Sequence, residues 1–195
     1  PETTFGIENE SQLRMVSDFV SLFRAAGFVP GVKIGDDRAD VRMVTNVSLP
    51  DESYHLAVTT KKIRIEAASD AGFFYALQSL RQLLPPAVEG DGLDMAMDCR
   101  VPAVTISDRP RFGYRGLMVD VSRFFMPKQN LLRIIDAASF LKINKLHLHL
   151  VDDNGWRLEI KRYPRLTQVG AWRVKRDEPF PNRRNPERGE PVPVG

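Results

Sequence analysis

Cysteine is nearly absent: Cys99 is the only one in 195 residues. No disulfide can close within the chain, so a small disulfide-stapled scaffold is excluded and the redox compartment stays open. Also missing is any stretch approaching the ~18 apolar residues of a membrane span, and PETTFGIENE at the N-terminus lacks the basic-then-apolar order of a signal peptide. The chain as given reads as neither anchored nor targeted. Histidine is scarce, with only His55, His147 and His149, which limits any histidine-built metal centre. What is abundant is ordinary. Hydrophobic residues make up 43% and charged residues 27%, a globular balance that fits neither a wholly disordered chain nor a collagen-like fibre. The length suits one large domain or a domain and a half, since domains run to ~100–200 residues.

The formal charge is +3 and the excess is local: Arg173, Lys175, Arg176, Arg183, Arg184 and Arg188 cluster near the C-terminus. A nucleic-acid surface would gain affinity from such a cluster by counterion release. Here Asp177, Glu178, Glu187 and Glu190 are interspersed, prolines from Pro179 to Pro193 break any helix, and only Phe180 is available to stack on a base. The segment reads as a solvated loop or tail, with neither nucleic acid nor membrane as partner.

Hydrophobic periodicity organises the rest. Leu13, Val16, Phe19, Val20 and Phe23 recur at helical spacing between Asn9 and Ala26; Asn9 followed by Gln12 has the form of a capping box, and Gly27 supplies a stop. β-type segments follow at 29–34, 41–44, 54–59 and 62–67, the last two spaced as a hairpin. A second helix runs from Ser69 as cap through Phe73, Leu77, Leu80 and Leu84 until Pro85 and Pro86 end it. These elements predict an α+β domain over 1–108, a sheet with two helices on one face. Glycines and acidic residues mark 89–94, and 99–107 returns to a β-like pattern.

The texture then changes. Arg115 to Val121 is a compact apolar run, Lys128 to Leu141 is a helix with Leu131, Ile134, Ile135, Ala138 and Leu141 on one face, and Lys145 to Val151 is another strand. Strand, helix, strand is a βαβ unit, which belongs to parallel α/β sheets or barrels whose catalytic groups lie where the strands end. Ser122 and Arg123 follow the first strand; Asp152 and Asp153 follow the second. A charge removed from water needs a partner. Asp120, in mid-strand, and Arg115 are expected to form structural ion pairs, with Arg157 near the rim as a further partner. Arg123 presents a rigid fork suited to two hydroxyls or a carboxylate, and Asp152 is placed to orient a histidine or an acid. His147 and His149 share one strand face by alternation, with Asp152 opposite unless the strand bulges. They read as satisfied core or supporting histidines, with a metal-dependent hydrolase using both as the alternative enzyme. Trp156 and Trp172 are of a type that stacks on sugar faces, and packing is the more ordinary role.

The run Arg115-Gly-Leu-Met-Val-Asp-Val-Ser-Arg123, the helix after Pro127, Asn144 to Asp153 and Gly155-Trp-Arg-Leu-Glu-Ile-Lys161 resemble the opening of the catalytic barrel of family 20 glycoside hydrolases, the β-N-acetylhexosaminidases. Tyr163 to Thr167 and Gly170 to Arg173 continue the likeness, and Gly72 to Leu84 is similar to the second helix of the α+β domain preceding that barrel. The resemblance implies a TIM (β/α)8 barrel starting at about 109, with 109–195 its first part, because the chain stops after roughly two strands of a fold that needs about eight and ~250 residues. It implies hydrolysis of terminal β-linked N-acetylglucosamine or N-acetylgalactosamine in oligosaccharides or glycoconjugates with retention, the substrate's acetamido oxygen acting as nucleophile. No cofactor or metal is implied, and the compartment would be periplasmic, secreted or lysosome-like.

By the same resemblance Arg123 binds hydroxyls of the terminal sugar and Asp152 belongs to a catalytic supporting network with a histidine. Phe124 and Phe125 stand where the family has a histidine or another polar residue, and no Gly-Gly-Asp-Glu run is present. The catalytic Asp-Glu pair is therefore expected outside this chain, leaving the fragment inert by itself and prone to self-association through apolar surface on Leu117, Val119, Leu146 and Leu148. A non-catalytic carbohydrate-recognition module is the further alternative.

Overall fold

Asn9 and Ser69 open the two helices of the leading half. The Asn9 side chain accepts from the Gln12 N–H at 3.0 Å and starts α1 (Glu10–Ser21), while the Ser69 hydroxyl accepts from the Gly72 N–H at 3.3 Å and starts α2 (Asp70–Leu83). Each bond satisfies one orphan donor of a helix N-terminus, an effect worth about 1 kcal/mol. The capping box departs from its usual form in one respect: Gln12 Oε1 accepts from the Glu8 N–H at 2.7 Å. α2 stops before Pro85 and Pro86 as predicted. The computed structural model describes residues 3–23, 30–86, 100–153, 155–174 and 193–194. The predicted stop at Gly27, the 89–94 stretch, Cys99 and the basic residues from Lys175 to Arg188 lie outside the described residues.

The chain divides into two compact units, Pro1–Gly113 and Tyr114–Gly195. In the first, β1 (Thr4–Ile7), β2 (Gly31–Ile34), β3 (Val41–Thr45), β4 (Tyr54–Val58), β5 (Ile63–Ala67) and β6 (Val104–Asp108) form one sheet in the order β2-β1-β3-β5-β4-β6. The pairs β2-β1, β1-β3 and β3-β5 are parallel; β4 runs antiparallel to β5 and to β6. The expected hairpin is β4-β5, closed by the Thr59 N–H donating to Lys62 O at 2.9 Å. β1 carries no sequence signal of its own, being four residues with a glycine among them, yet Phe5 and Ile7 are buried in the core.

Alternation along β4 sends Tyr54, Leu56 and Val58 inward. They join Phe5, Met43 and Ile65 from the sheet, Val16, Phe19 and Val20 from α1, and Phe73, Leu77 and Leu80 from α2 in one buried cluster. The two helices touch each other, and Ser11 Oγ donates to Asp70 Oδ2 at 2.5 Å across them, so both lie on the same face of the sheet. The helices approach the strands closely where Gly72 crosses β4 and β5: a Cβ there would stand 2.5 Å from Ser53 O and 2.9 Å from Ala67 Cβ.

In the second unit β7 (Gly116–Asp120), α3 (Lys128–Phe140) and β8 (Lys145–His149) form the expected βαβ unit, with β7 and β8 parallel and in register from Gly116↔Lys145 to Asp120↔His149. Lys142, at φ 60°, terminates α3: its N–H donates to Ser139 O at 2.9 Å and the Ile143 N–H to Ala138 O at 2.9 Å, a left-handed cap that glycine fills more often. The Asn144 and Lys145 N–H groups then donate to Arg115 O at 3.0 and 3.2 Å, fixing where β8 begins beside β7. Leu131, Ile134 and Ala138 are half-buried, whereas Ile135 and Leu141 of the predicted apolar face are exposed. Val119, expected at the surface, is buried; Leu117 and Leu148 are half-buried and Leu146 is exposed. The sequence beyond holds a helical turn, α4 (Arg165–Gln168), and two-residue strands β9 (Arg173–Val174) and β10 (Pro193–Val194), paired antiparallel. The C-terminal segment, expected to be a loop or tail, thus pairs at residues 193–194 with residues 173–174. Among the described residues no helix is long and apolar enough to cross a membrane.

Candidate functional site

The strand ends carry the site. Asp120 is the last residue of β7, not a mid-strand residue as the apolar run suggests, and its side chain turns the chain back. Its Oδ1 accepts from the Ser122 and Arg123 N–H groups at 3.0 Å each, and its Oδ2 accepts from Arg123 Nη1 at 2.8 Å. A short polar side chain that bonds the backbone two and three residues on replaces the strand ladder with a turn. Burial works against the Asp120 charge, but the bonds from Arg123 and Ser122 prevail and hold its carboxyl below the usual range.

Arg123 then reaches across to the neighbouring strand end. Its Nη2 lies 2.6 Å from Asp152 Oδ2, and the same oxygen meets His149 Nε2 at 2.6 Å. Asp152 Oδ1 accepts from the Asp153 N–H at 2.8 Å. Arg123 and Asp152 therefore sit at the same end of two adjacent strands, as their parallel pairing requires. The Asp153 N–H first, then His149 and more weakly the Arg123 charge, draw the Asp152 carboxyl down to about 2. The bond to Asp120 pushes the Arg123 guanidinium up. Because Asp152 is an acceptor only, His149 bonds it through a protonated Nε2.

Several expectations change here. Strand alternation puts Asp152 on the face opposite His149, but β8 ends at His149 and the chain bends, so alternation no longer applies and the two side chains bond. His147 is exposed, not enclosed in a core, because β8 pairs only with β7 among the described residues. Arg115, just ahead of β7, donates its Nε to Lys142 O at 2.8 Å, a bond to main chain that the sequence does not mark. Arg157, expected to pair with an aspartate, instead donates Nε to Val121 O at 3.0 Å, Nη2 to Ser122 O at 3.4 Å and Nη1 to Ala171 O. Ser122, which the sequence offers only as a polar residue beside Arg123, is fully buried and its hydroxyl donates to Gly155 O at 2.8 Å. Trp156 donates Nε1–H to Leu158 O at 2.5 Å, and Trp172 is half exposed. Among the described residues no three His, Cys, Asp or Glu side chains converge as a metal-binding set.

A parallel βαβ unit that gathers an arginine fork, two carboxylates and an imidazole where its strands end belongs to the α/β class that carries its sites at the strand ends, here preceded by an α+β unit. Comparison with known proteins narrows that class. Residues 3–109 match glycosyl hydrolase family 20, domain 2, and residues 112–188 match glycosyl hydrolase family 20, catalytic domain. The chain belongs to glycosyl hydrolase family 20, and its βαβ unit is the start of that family's TIM barrel. It is 45% identical over 135 residues to a beta-hexosaminidase of Vibrio furnissii, covering 69% of this chain and 21% of the relative, and 46% identical over 119 residues to the N,N'-diacetylchitobiase of Vibrio harveyi, covering 61% and 12%. A mutant Streptomyces plicatus beta-hexosaminidase solved with its product GlcNAc superposes with a TM-score of 0.78 at 36% identity, over 86% of this chain and 34% of that one. The chain thus spans about a fifth or less of the length of these two relatives.

Proposed function

We propose that residues 1–108 are the leading domain and residues 109–195 the opening of the catalytic barrel of a longer retaining glycosidase, which removes terminal β-linked N-acetylhexosamine from oligosaccharides or glycoconjugates. The observation that carries this reading is the Arg123 fork held between Asp120 and Asp152 at the strand ends. A guanidinium offers five N–H donors. Two carboxylates hold it from one side while 49% of the side chain stays exposed, which leaves donors for neighbouring hydroxyls of a terminal sugar. Asp152 acts as an anchor: it orients Arg123 and keeps the His149 Nε2–H directed at itself.

The same geometry says what Asp152 does not do. A carboxyl drawn down to about 2 holds no proton near neutral pH, so it is not the acid that protonates a leaving oxygen. Asp120 is ionised for the same reason. Protonation of the glycosidic oxygen, and orientation of the acetamido group that serves as nucleophile, require two further carboxyl groups, which we assign to the longer protein. The chain by itself is then inert. The test is release of a chromophore from an N-acetyl-β-glucosaminide by the purified chain beside the full-length protein. Turnover by the full-length protein alone is expected, and Arg123→Ala in it lowers kcat/KM by about two orders of magnitude through lost charge-assisted bonds. Comparable turnover by the isolated chain would overturn the assignment.

A further inference from the structure

We propose that Arg157 is a positioning residue for the Arg123–Asp152 pair, a role that rests on the sugar-binding reading of that pair given above. Arg157 ties together the two chain segments that lead into the pair. Its backbone N–H donates to Leu150 O at 2.9 Å, just ahead of Asp152, and its Nε donates to Val121 O at 3.0 Å, just ahead of Arg123. Nη2 adds a longer bond to Ser122 O at 3.4 Å, and Nη1 extends the tie to Ala171 O.

The guanidinium is in part removed from water, and burial lowers its proton affinity. Among the described residues its bonding partners are carbonyl oxygens, together with the face of Phe125 at 5.2 Å from the ring centroid. A cation desolvated without a carboxylate partner loses free energy, whereas a rigid planar fork is well suited to several fixed acceptors at once. Gly155 closes the arrangement. It sits at φ +75°, and a Cβ on it would lie 2.6 Å from Ser122 O and 2.8 Å from Arg157 Nη2, so only glycine lets the loop lie against the turn and the fork together. The main-chain bond to Leu150 survives any substitution at 157 that keeps the backbone N–H, as methionine and lysine do. The side-chain bonds to 121 and 122 do not, and their loss leaves the main-chain bond from the Val121 N–H to His149 O at 3.2 Å as the tie between the two exits ahead of the Arg123–Asp152 pair.

The test uses Arg157→Met and Arg157→Lys in the full-length protein, each alone and combined with Arg123→Ala. Both single variants are expected to lower kcat/KM on an N-acetyl-β-glucosaminide by tenfold or more. Lysine fails to restore it because one ammonium cannot span the carbonyls. On the Arg123→Ala background the further loss shrinks to less than twofold, since a positioning residue has nothing left to position. A merely structural role gives a lower melting temperature with losses that add in full. A crystal structure of either variant reads the Arg123–Asp152 contact without turnover, and separation beyond direct bonding is expected. If Arg157→Met does not fold, the lysine variant carries the cycle. Unchanged kcat/KM, full additivity or an intact Arg123–Asp152 contact each overturns the proposal. A wild-type protein that does not cleave N-acetylhexosaminides overturns the function reading instead, while the crystal structure still decides the positioning role.

Discussion

Replacing Gly72 by alanine sets two effects against each other. Alanine is favoured over glycine in a helix by up to about 1 kcal/mol. The new Cβ would stand 2.5 Å from Ser53 O and 2.9 Å from Ala67 Cβ, against the ~3.5–4.0 Å of comfortable contact between carbon atoms. α2 would have to lift from the sheet by on the order of 1 Å to relieve both. Neither side yields easily. The 50–53 turn is held by the Ser53 N–H bond to Pro50 O at 3.2 Å with Glu52 at φ 61°, and α2 buries Phe73, Ala76, Leu77 and Leu80. Overpacking of this kind costs ~1–3 kcal/mol, more where backbone must move, so it exceeds the helix-propensity gain and a net loss of ~1–2 kcal/mol is expected. Urea denaturation followed by circular dichroism measures it. Gly113→Ala is the control: nothing lies within 4 Å of its new methyl group, and its effect should stay within about 0.5 kcal/mol. A Gly72→Ala chain at least as stable as the parent would refute the reasoning.

Asp152→Asn keeps the shape but offers one oxygen and one NH2 in place of two oxygens. If the oxygen faces Arg123 and His149, the NH2 faces the Asp153 N–H, and the reverse orientation loses the other two bonds. In the full-length protein kcat/KM should fall by about ten- to a hundredfold, and unchanged kinetics would remove Asp152 from the site. The carboxyl's fall from 3.8 to about 2 also has a pH signature: its stabilising bonds are complete above about pH 4 and are lost as pH falls through about 2. Over that acid range the parent chain should lose stability more steeply than Asp152→Asn, whereas parallel curves would contradict a lowered Asp152 carboxyl. The purified chain should also self-associate, because β7 and β8 pair only with each other among the described residues and Met118 and Leu146 are 56% and 40% exposed. Sedimentation velocity over a concentration series checks this, and a monomer throughout would count against it.

The helices and the hairpin of the first unit are legible in the sequence because their signals are local. Asn9 and Ser69 cap at the residues where periodicity begins, and Thr59 and Lys62 close the turn between two alternating runs. β1 is not legible: its place in the sheet comes from pairing with β2 and β3, far along the chain, and its four residues hold too few side chains to show a period. At the site, residue types at strand ends point to Arg123 and Asp152, but alternation misplaces Asp152 relative to His149 because the strand stops first. Arg157 is visible in the sequence as a charge near the rim, but the tie it makes is not. Its partners are main-chain carbonyls of Val121, Ser122 and Ala171, and every residue possesses one, so no complementary side chain marks the tie.

The pairing of β7 with β8 is fixed at both ends, by Asn144 and Lys145 donating to Arg115 O and by the Val121 N–H donating to His149 O at 3.2 Å. This sets where the barrel segment tolerates a change of length. Residues added between Phe125 and Lys128, ahead of α3, enlarge a solvent-facing loop and leave both strand ends where they are. One residue added inside β7 or β8 advances everything after it by ~3.3 Å and turns each following side chain to the other face of the sheet. Arg123 cannot then meet Asp152 at 2.6 Å. Insertions, tags and loop grafts are accordingly accommodated in the crossover and excluded from the five-residue strands on either side of it.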